Sequence, residues 1–266
     1  MRPQYGFRTG PLRCSAEQAA ATLAELGYDC LELCLEADDV RPETMTEARA
    51  QELAQTFEQI GIGLASCSYH ADREPPAQRA VNQEAAIHVA AWMGAEILVL
   101  NAEKSSDQER QWAEHIAHFT RLCAVAEQAG VTLAIEPEPL LVVGSSRDAL
   151  DLIEAVASTE VGATALKVNL DVGHAAITDP GRWSSSLAET VRMLGDQIVH
   201  LHLEDMAGRV HKHLPFGQGE IDFGALKTAL AEIGYQGPYV VDLFGQDQEP
   251  RRVAADALVA LRRLFG

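Results

Sequence analysis

Four short stretches of this chain finish in side chains that can bind a cation or move a proton: VTLAIE ending at Glu136, LKVNLD ending at Asp171, IVHLHL carrying His202, and YVVDLF carrying Asp242. Within each, polar and apolar residues alternate. Val131, Leu133 and Ile135 oppose Thr132, Ala134 and Glu136, while Leu166, Val168 and Leu170 oppose Lys167, Asn169 and Asp171. Val199, Leu201 and Leu203 likewise oppose His200 and His202, and Tyr239, Val241 and Leu243 oppose Val240 and Asp242. An extended strand sends successive side chains to opposite faces, so each polar set shares one face. Taken singly, an acid at a strand terminus is most simply solvated. Three acids and an imidazole on one axis are destabilising unless their charge is compensated, and a divalent cation does this directly. Carboxylate oxygen with one imidazole nitrogen suits Mn2+, Mg2+, Co2+ and Zn2+ alike. The expectation is one divalent metal ion held by Glu136, Asp171, His202 and Asp242.

The elements that must position these groups follow a regular beat. Apolar runs at 4–7, 30–35, 63–67, 96–100, 131–136, 166–171, 198–203 and 239–244 read as eight strands, with amphipathic stretches between them. In 108–128, Trp112, Ile116, Phe119, Cys123 and Ala126 recur at helical spacing, and Gly130 supplies a stop. Ser15 with Gln18 reads as a capping box ahead of the first helix, which Gly27 ends; Gly61, Gly94, Gly195 and Gly234 repeat that punctuation. Eight strand-helix units in 266 residues predict an α/β chain folded as a single (β/α)8 TIM barrel, with residues 1–266 as one domain. A doubly wound sheet is the alternative, but no GxGxxG follows the first strand. In a barrel the apolar sets face the helices, and the polar sets reach the C-terminal mouth where barrel active sites are built. His70, ending the third strand, and Glu103, just past the fourth, also face that mouth if the strand limits hold.

Bulk properties narrow the partners. A formal charge of -18 opposes a phosphodiester backbone, so no nucleic acid is expected. Mean hydropathy is near zero and no long apolar run is present, so no membrane is expected either. The first ten residues lack a basic-then-apolar leader, which predicts a cytoplasmic protein, and five scattered cysteines without metal-like spacing fit reduced thiols. No GxxxxGK[ST] loop is visible, which favours a non-phosphorylated small molecule. His88, His115 and His118 lie within helical stretches and read as packing or surface residues. Arg209 and the acidic run 36–39 read as solvated, and His200, one layer below His202, as a structural partner of a ligand.

LAIEPEP, LDVGHA, VHLHLED, HLPFGQGEIDF and ALAEIGYQGPYVVDLF, in this order, resemble the xylose-isomerase-like superfamily of sugar isomerases and epimerases over nearly the whole chain. That resemblance implies metal ligation by Glu136, Asp171, His202 and Asp242, with His174 and His213 near the substrate's oxygens. It implies Glu136 and Asp242 as two catalytic bases flanking the reacting carbon of a ketose or related polyhydroxylated 2-oxo compound. His70 and Glu103 join the candidate substrate contacts. The chain departs from the pattern at Asp242, where such epimerases usually place Glu, and at Pro137-Glu138 after the first acid. The shorter acid leaves room for other chemistry: loss of water from an inosose-like compound, or metal and metabolite binding without turnover. A phosphodiesterase like endonuclease IV is disfavoured by the charge and by Asn101-Ala102-Glu103, where a histidine is wanted. A small sugar-like molecule is the expected partner, and a homodimer is an allowed assembly.

Overall fold

The computed structural model describes residues 3–71, 74–159, 165–179, 185–246 and 248–266. Eight strands, β1 (Tyr5–Arg8), β2 (Cys30–Cys34), β3 (Gly63–Tyr69), β4 (Ile97–Asn101), β5 (Thr132–Glu136), β6 (Leu166–Asp171), β7 (Ile198–Leu203) and β8 (Tyr239–Val241), close into a parallel barrel in chain order. Around it lie α1 (Ala16–Leu26), α2 (Glu47–Ile60), α3 (Pro76–Trp92), α4 (Gln108–Ala129), α5 (Ser146–Ala157), α6 (Val172–Thr178), α7 (Ser185–Leu194), α8 (Phe223–Glu232) and α9 (Pro250–Phe265). This is the (β/α)8 barrel expected from the alternating pattern. Local chemistry sets the boundaries: Ser15 and Gln18 form the reciprocal capping box of α1, and Gly27 ends it at φ 91°, a left-handed conformation that side chains resist.

Apolar strand residues such as Leu31, Leu33, Leu133, Ile135, Val168, Leu201 and Leu203 pack outward with helix residues including Leu23, Leu53, Phe119, Leu152 and Leu226 in one continuous core. Trp92 and Trp112 lean on it, as their helical spacing predicts. The opposite strand faces meet inside the barrel. Ser66 on β3 and His200 on β7 are within 2.9 Å across it, and His200 also bonds Asn169 on β6 at 2.8 Å. One register shift between β2 and β3 sets Glu32 beside Ser66, and another between β6 and β7 sets Asn169 beside His200. Such bulges re-aim side chains next to functional sites.

Three strand limits differ from the sequence expectation in ways that matter. β1 runs one residue further, which carries Arg8 to the mouth, and β3 continues to Tyr69 and so delivers His70. β8 stops at Val241 instead of reaching Phe244. There the Asp242 carboxylate accepts a bond from the Phe244 N–H at 3.1 Å, and this local turn displaces the ladder and leaves Phe244 exposed.

Candidate active site at the barrel mouth

Each of the four expected ligands is buried at the C-terminal end of a neighbouring strand. Glu136 closes β5, Asp171 closes β6, His202 lies near the end of β7, and Asp242 follows β8, its N–H still bonded to the Leu203 carbonyl. Their atoms converge on one imidazole nitrogen. His202 Nδ1 is 3.2 Å from Glu136 Oε2, 4.0 Å from Asp171 Oδ2 and 4.0 Å from Asp242 Oδ2. Two triads able to hold a metal share this space, Glu136 with Asp171 and His202, and Asp171 with His213 and Asp242.

The donor set fits a divalent cation. Asp171 Oδ2 is buried without a hydrogen-bond partner, while its other oxygen caps α6 by accepting from the His174 N–H at 2.7 Å. His202 Nε2 is 2.9 Å from Glu32 Oε2, so the ring donates there and turns Nδ1 to the acids. Burial opposes charge on this imidazole, but Glu32 and Glu136 outweigh it and hold the His202 pKa well above the usual range. The cluster thus draws positive charge to the point where a metal would stand. Asn169 steadies it from below, donating to Glu136 at 2.9 Å.

Several groups in the site lie outside the expected ligand set. Arg8 is 5% exposed and threads between acids, with Nε 3.1 Å from Glu32 Oε1 and Nη1 3.4 Å from Asp242 Oδ2. Burial works against ionised Asp242, yet Arg8, then His213 and His202, outweigh it and hold its carboxyl below the ordinary range. Arg8 Nη2 also lies 3.0 Å from His70 Nδ1. Guanidinium has no acceptor, so that nitrogen accepts and His70 Nε2 carries the hydrogen towards Glu136 Oε2 at 3.2 Å. Glu32 repeats the same period-two signal within CLELC, flanked by Leu31 and Leu33. Glu204 lies beside Asp171, and burial with that neighbour pushes its carboxyl well above the usual carboxylate range.

Of the expected substrate contacts, His70, His174 and His213 come to the cluster. His174 Nδ1 is 3.3 Å from Glu136 Oε1 and 3.2 Å from the Pro137 carbonyl, and His213 Nδ1 donates to the Asp242 carbonyl at 2.8 Å. Glu103 does not come. Its carboxylate accepts from Gln111 at 3.1 Å, and its backbone is tied to His115 and Val142, so it has turned towards α4. His200 is buried, its ring nitrogens engaged by Ser66 and Asn169 instead of by one of the four expected ligands, and burial pushes its pKa down to about 4 against the pull of Glu32. The acidic run is not wholly solvated: Glu36 accepts the His70 and Ala71 N–H groups and fixes the end of β3.

The GQGEIDF turn is held by Asp205, whose buried carboxylate accepts from the N–H groups of Met206, Gly217, Gly219 and Ile221 between 2.8 and 3.2 Å. At Gly219 a Cβ would lie 2.3 Å from Asp205 Oδ1 and 2.4 Å from the Met206 carbonyl, so only glycine lets the turn close. A bridge between Asp205 and Leu214 completes the strap that brings His211 and His213 back over the mouth.

Comparison with known proteins agrees with this architecture. L-ribulose-5-phosphate 3-epimerase UlaE of Escherichia coli is 24% identical over 241 residues, spanning 84% of this chain and 80% of that protein. The solved structure of D-psicose 3-epimerase with D-tagatose from Clostridium cellulolyticum H10 superposes with a TM-score of 0.76 at 18% identity, covering 98% of this chain and 99% of the other. That of 3-keto-D-glucoside 4-epimerase YcjR from Escherichia coli, in its apo form, gives 0.78 at 18%, covering 98% and 100%. At such identities the solved structures speak for the fold. The family described as Xylose isomerase-like TIM barrel matches residues 20–264, and with the motifs and the closed eight-stranded barrel this places the chain in that family.

Proposed function

We propose that this chain is a divalent-metal-dependent isomerase or epimerase acting on a ketose or related polyhydroxylated 2-oxo compound, with residues 1–266 working as one unit. The observation that carries the reading is the convergence of Glu136, Asp171 and Asp242 on His202 Nδ1, with a buried Asp171 oxygen left unpartnered. Glu136, Asp171, His202 and Asp242 would hold one cation. Three carboxylates and one imidazole accept Mn2+, Mg2+, Co2+ or Zn2+. When bound, it supplies Lewis-acid polarisation of the substrate carbonyl and steadies the negative charge that develops there.

The proton work falls to the chain's own groups. Glu136 takes the proton from the carbon beside the carbonyl, and the electron pair moves towards the carbonyl oxygen. Asp242, after taking a proton from solvent, returns it to the opposite face and inverts the centre; return by Glu136 to the former carbonyl carbon, with the neighbouring hydroxyl proton passing to the former carbonyl oxygen, shifts the carbonyl. His70 donates from Nε2 at the edge of this space, and His174 and His213 meet the substrate's oxygens on the loop side. The three similar proteins named above are epimerases, which supports the reaction class.

A second reading is loss of water from an inosose-like compound through a single base. It is favoured by Asp242, one methylene shorter than Glu and occupied by both Arg8 and the Phe244 N–H. One experiment separates these. Metal-stripped and metal-reloaded protein are incubated with phosphorylated and free ketoses and inososes in deuterium oxide, and products are identified. The proposal expects carbon-bound deuterium in an epimer or isomer only after reloading; full activity in stripped protein, or dehydrated product alone, contradicts it.

A further inference from the structure

Inside the barrel, reaching one layer below the acid cluster, five side chains from β2, β3, β6 and β7 close a ring of polar contacts. Asn169 Oδ1 is 2.8 Å from His200 Nδ1, His200 Nε2 is 2.9 Å from Ser66 Oγ, and Ser66 Oγ is 2.9 Å from Glu32 Oε2. Glu32 Oε2 is 2.9 Å from His202 Nε2, and His202 Nδ1 is 3.1 Å from Asn169 Nδ2. All five residues are fully buried. The register shifts between β2 and β3 and between β6 and β7 fall at this ring, so the ladder is distorted where these side chains meet.

The ring settles how the Asn169 amide points. An ionised carboxylate only accepts, so the group 2.9 Å from Glu136 Oε2 is the Asn169 NH2, and the amide oxygen faces the other way, to His200. An amide oxygen also only accepts, so His200 Nδ1 carries hydrogen whichever way the Ser66 hydroxyl turns. Asn169 is thus held at both ends, by an acceptor above and a donor below. Turned over, it would set its oxygen against Glu136 Oε2 and its NH2 against the His200 N–H. Deprived of His200, it would keep a buried oxygen without a donor, and a buried group in that state is costly.

We propose that His200 is a positioning residue: by fixing the Asn169 amide it holds the Glu136 carboxylate where that group takes its proton, and Ser66 holds His200 in turn. The inference rests on the reading of Glu136 as the base. A misplacement of ~1 Å at a reacting group can cost 10²-fold, so a bond one residue removed from the base is felt in the rate. Because this layer sets position and does not meet substrate, its loss lowers kcat and leaves KM nearly unchanged. Two replacements separate its two arms. In His200→Asn the side-chain amide nitrogen takes the place of Nδ1 and donates to Asn169; in His200→Gln it takes the place of Nε2 and meets Ser66 instead.

The test uses the intact, Mg2+-saturated protein. The chain has three asparagines, Asn82, Asn101 and Asn169, so isotope-labelled asparagine gives three side-chain amides in NMR, with Asn169 assigned by its loss in Asn169→Asp. The expected wild-type Asn169 signal is protected from solvent exchange, and in H200Q that protection falls at least about tenfold while Asn82 and Asn101 keep theirs. On the substrate that the wild type turns over, H200Q loses about 10–100-fold in kcat with KM changed less than about twofold, and H200N restores kcat to within about threefold. Unchanged Asn169 protection in H200Q, or H200N as slow as H200Q, overturns the proposal. So does loss of protection at all three amides of H200Q, the mark of a merely structural role. A wild type without turnover on any ketose or inosose overturns the base reading alone, and the labelled amide still decides whether His200 holds Asn169.

Discussion

Strands β5 to β8 and strands β1 to β3 meet at the same mouth with opposite electrical tasks. The later half contributes Glu136, Asp171 and Asp242, all buried and all aimed at His202 Nδ1. The earlier half contributes Arg8, Glu32 and His70, which touch those groups from behind: Glu32 orients His202, His70 faces Glu136, and Arg8 bonds Asp242, Glu32 and His70. One half gathers negative charge, and the other supplies a fixed cation and the bonds that hold it in shape. The comparison teaches that the ligand half is incomplete alone, since carboxylates packed without compensation would take up protons or push apart.

The largest effect tests the ligand half. Asp171→Asn keeps the shape and removes a charged oxygen, so metal content should fall towards zero and any turnover by about 10³-fold, read by metal analysis and steady-state rates. Next comes the link between the halves. Glu32→Gln deprives His202 of its charged partner and should weaken metal binding by about 10–100-fold in competition with a chelator, leaving the fold intact. Arg8→Met removes the fixed cation and leaves buried Asp242 and Glu32 without their guanidinium partner, which should lower stability by about 3–5 kcal/mol in denaturant unfolding.

A smaller effect concerns pH. Glu204, whose carboxyl is raised in the folded chain, contributes stability that is full below its ordinary value of 4.5 and lost as pH rises through the folded value. Asp242, lowered from 3.8, acts oppositely: its contribution is present above that value and lost as pH falls through the folded one. Glu204→Gln, which still accepts the Gly173 N–H, should therefore flatten the alkaline decline of metal-free protein in thermal scans between pH 5 and about 9. The smallest effect falls outside both halves of the site. Glu103→Gln should change KM by less than about twofold, because its carboxylate serves Gln111.

The barrel was legible because its rhythm is carried by local signals, capping residues, glycine stops and period-two strands, that the tertiary structure reinforces. Glu136, Asp171 and His202 were legible for the same reason, each standing out of phase with apolar neighbours in a strand. Arg8 was not, because Gln4–Phe7 is the apolar run and the strand's last residue is fixed only by pairing with Glu32 on β2. Glu32 carried the periodic signal, yet in CLELC a single acid among apolar residues says nothing of the histidines of β7 it meets 168 and 170 residues away. Glu103 faced the other way because a chain that has left its strand follows loop bonds, here to His115 and Val142, and no longer keeps strand parity. Asp205 organises its turn through four backbone groups up to sixteen residues on, a pattern that composition does not announce.

The central claim is that a single cation stands where the four strand-end groups meet. Anomalous diffraction from crystals of the manganese-loaded protein tests it most directly: the account predicts a peak bonded to His202 Nδ1 and to oxygens of Glu136, Asp171 and Asp242. A saturated crystal with no peak there, the four side chains remaining bonded only to one another, would contradict it.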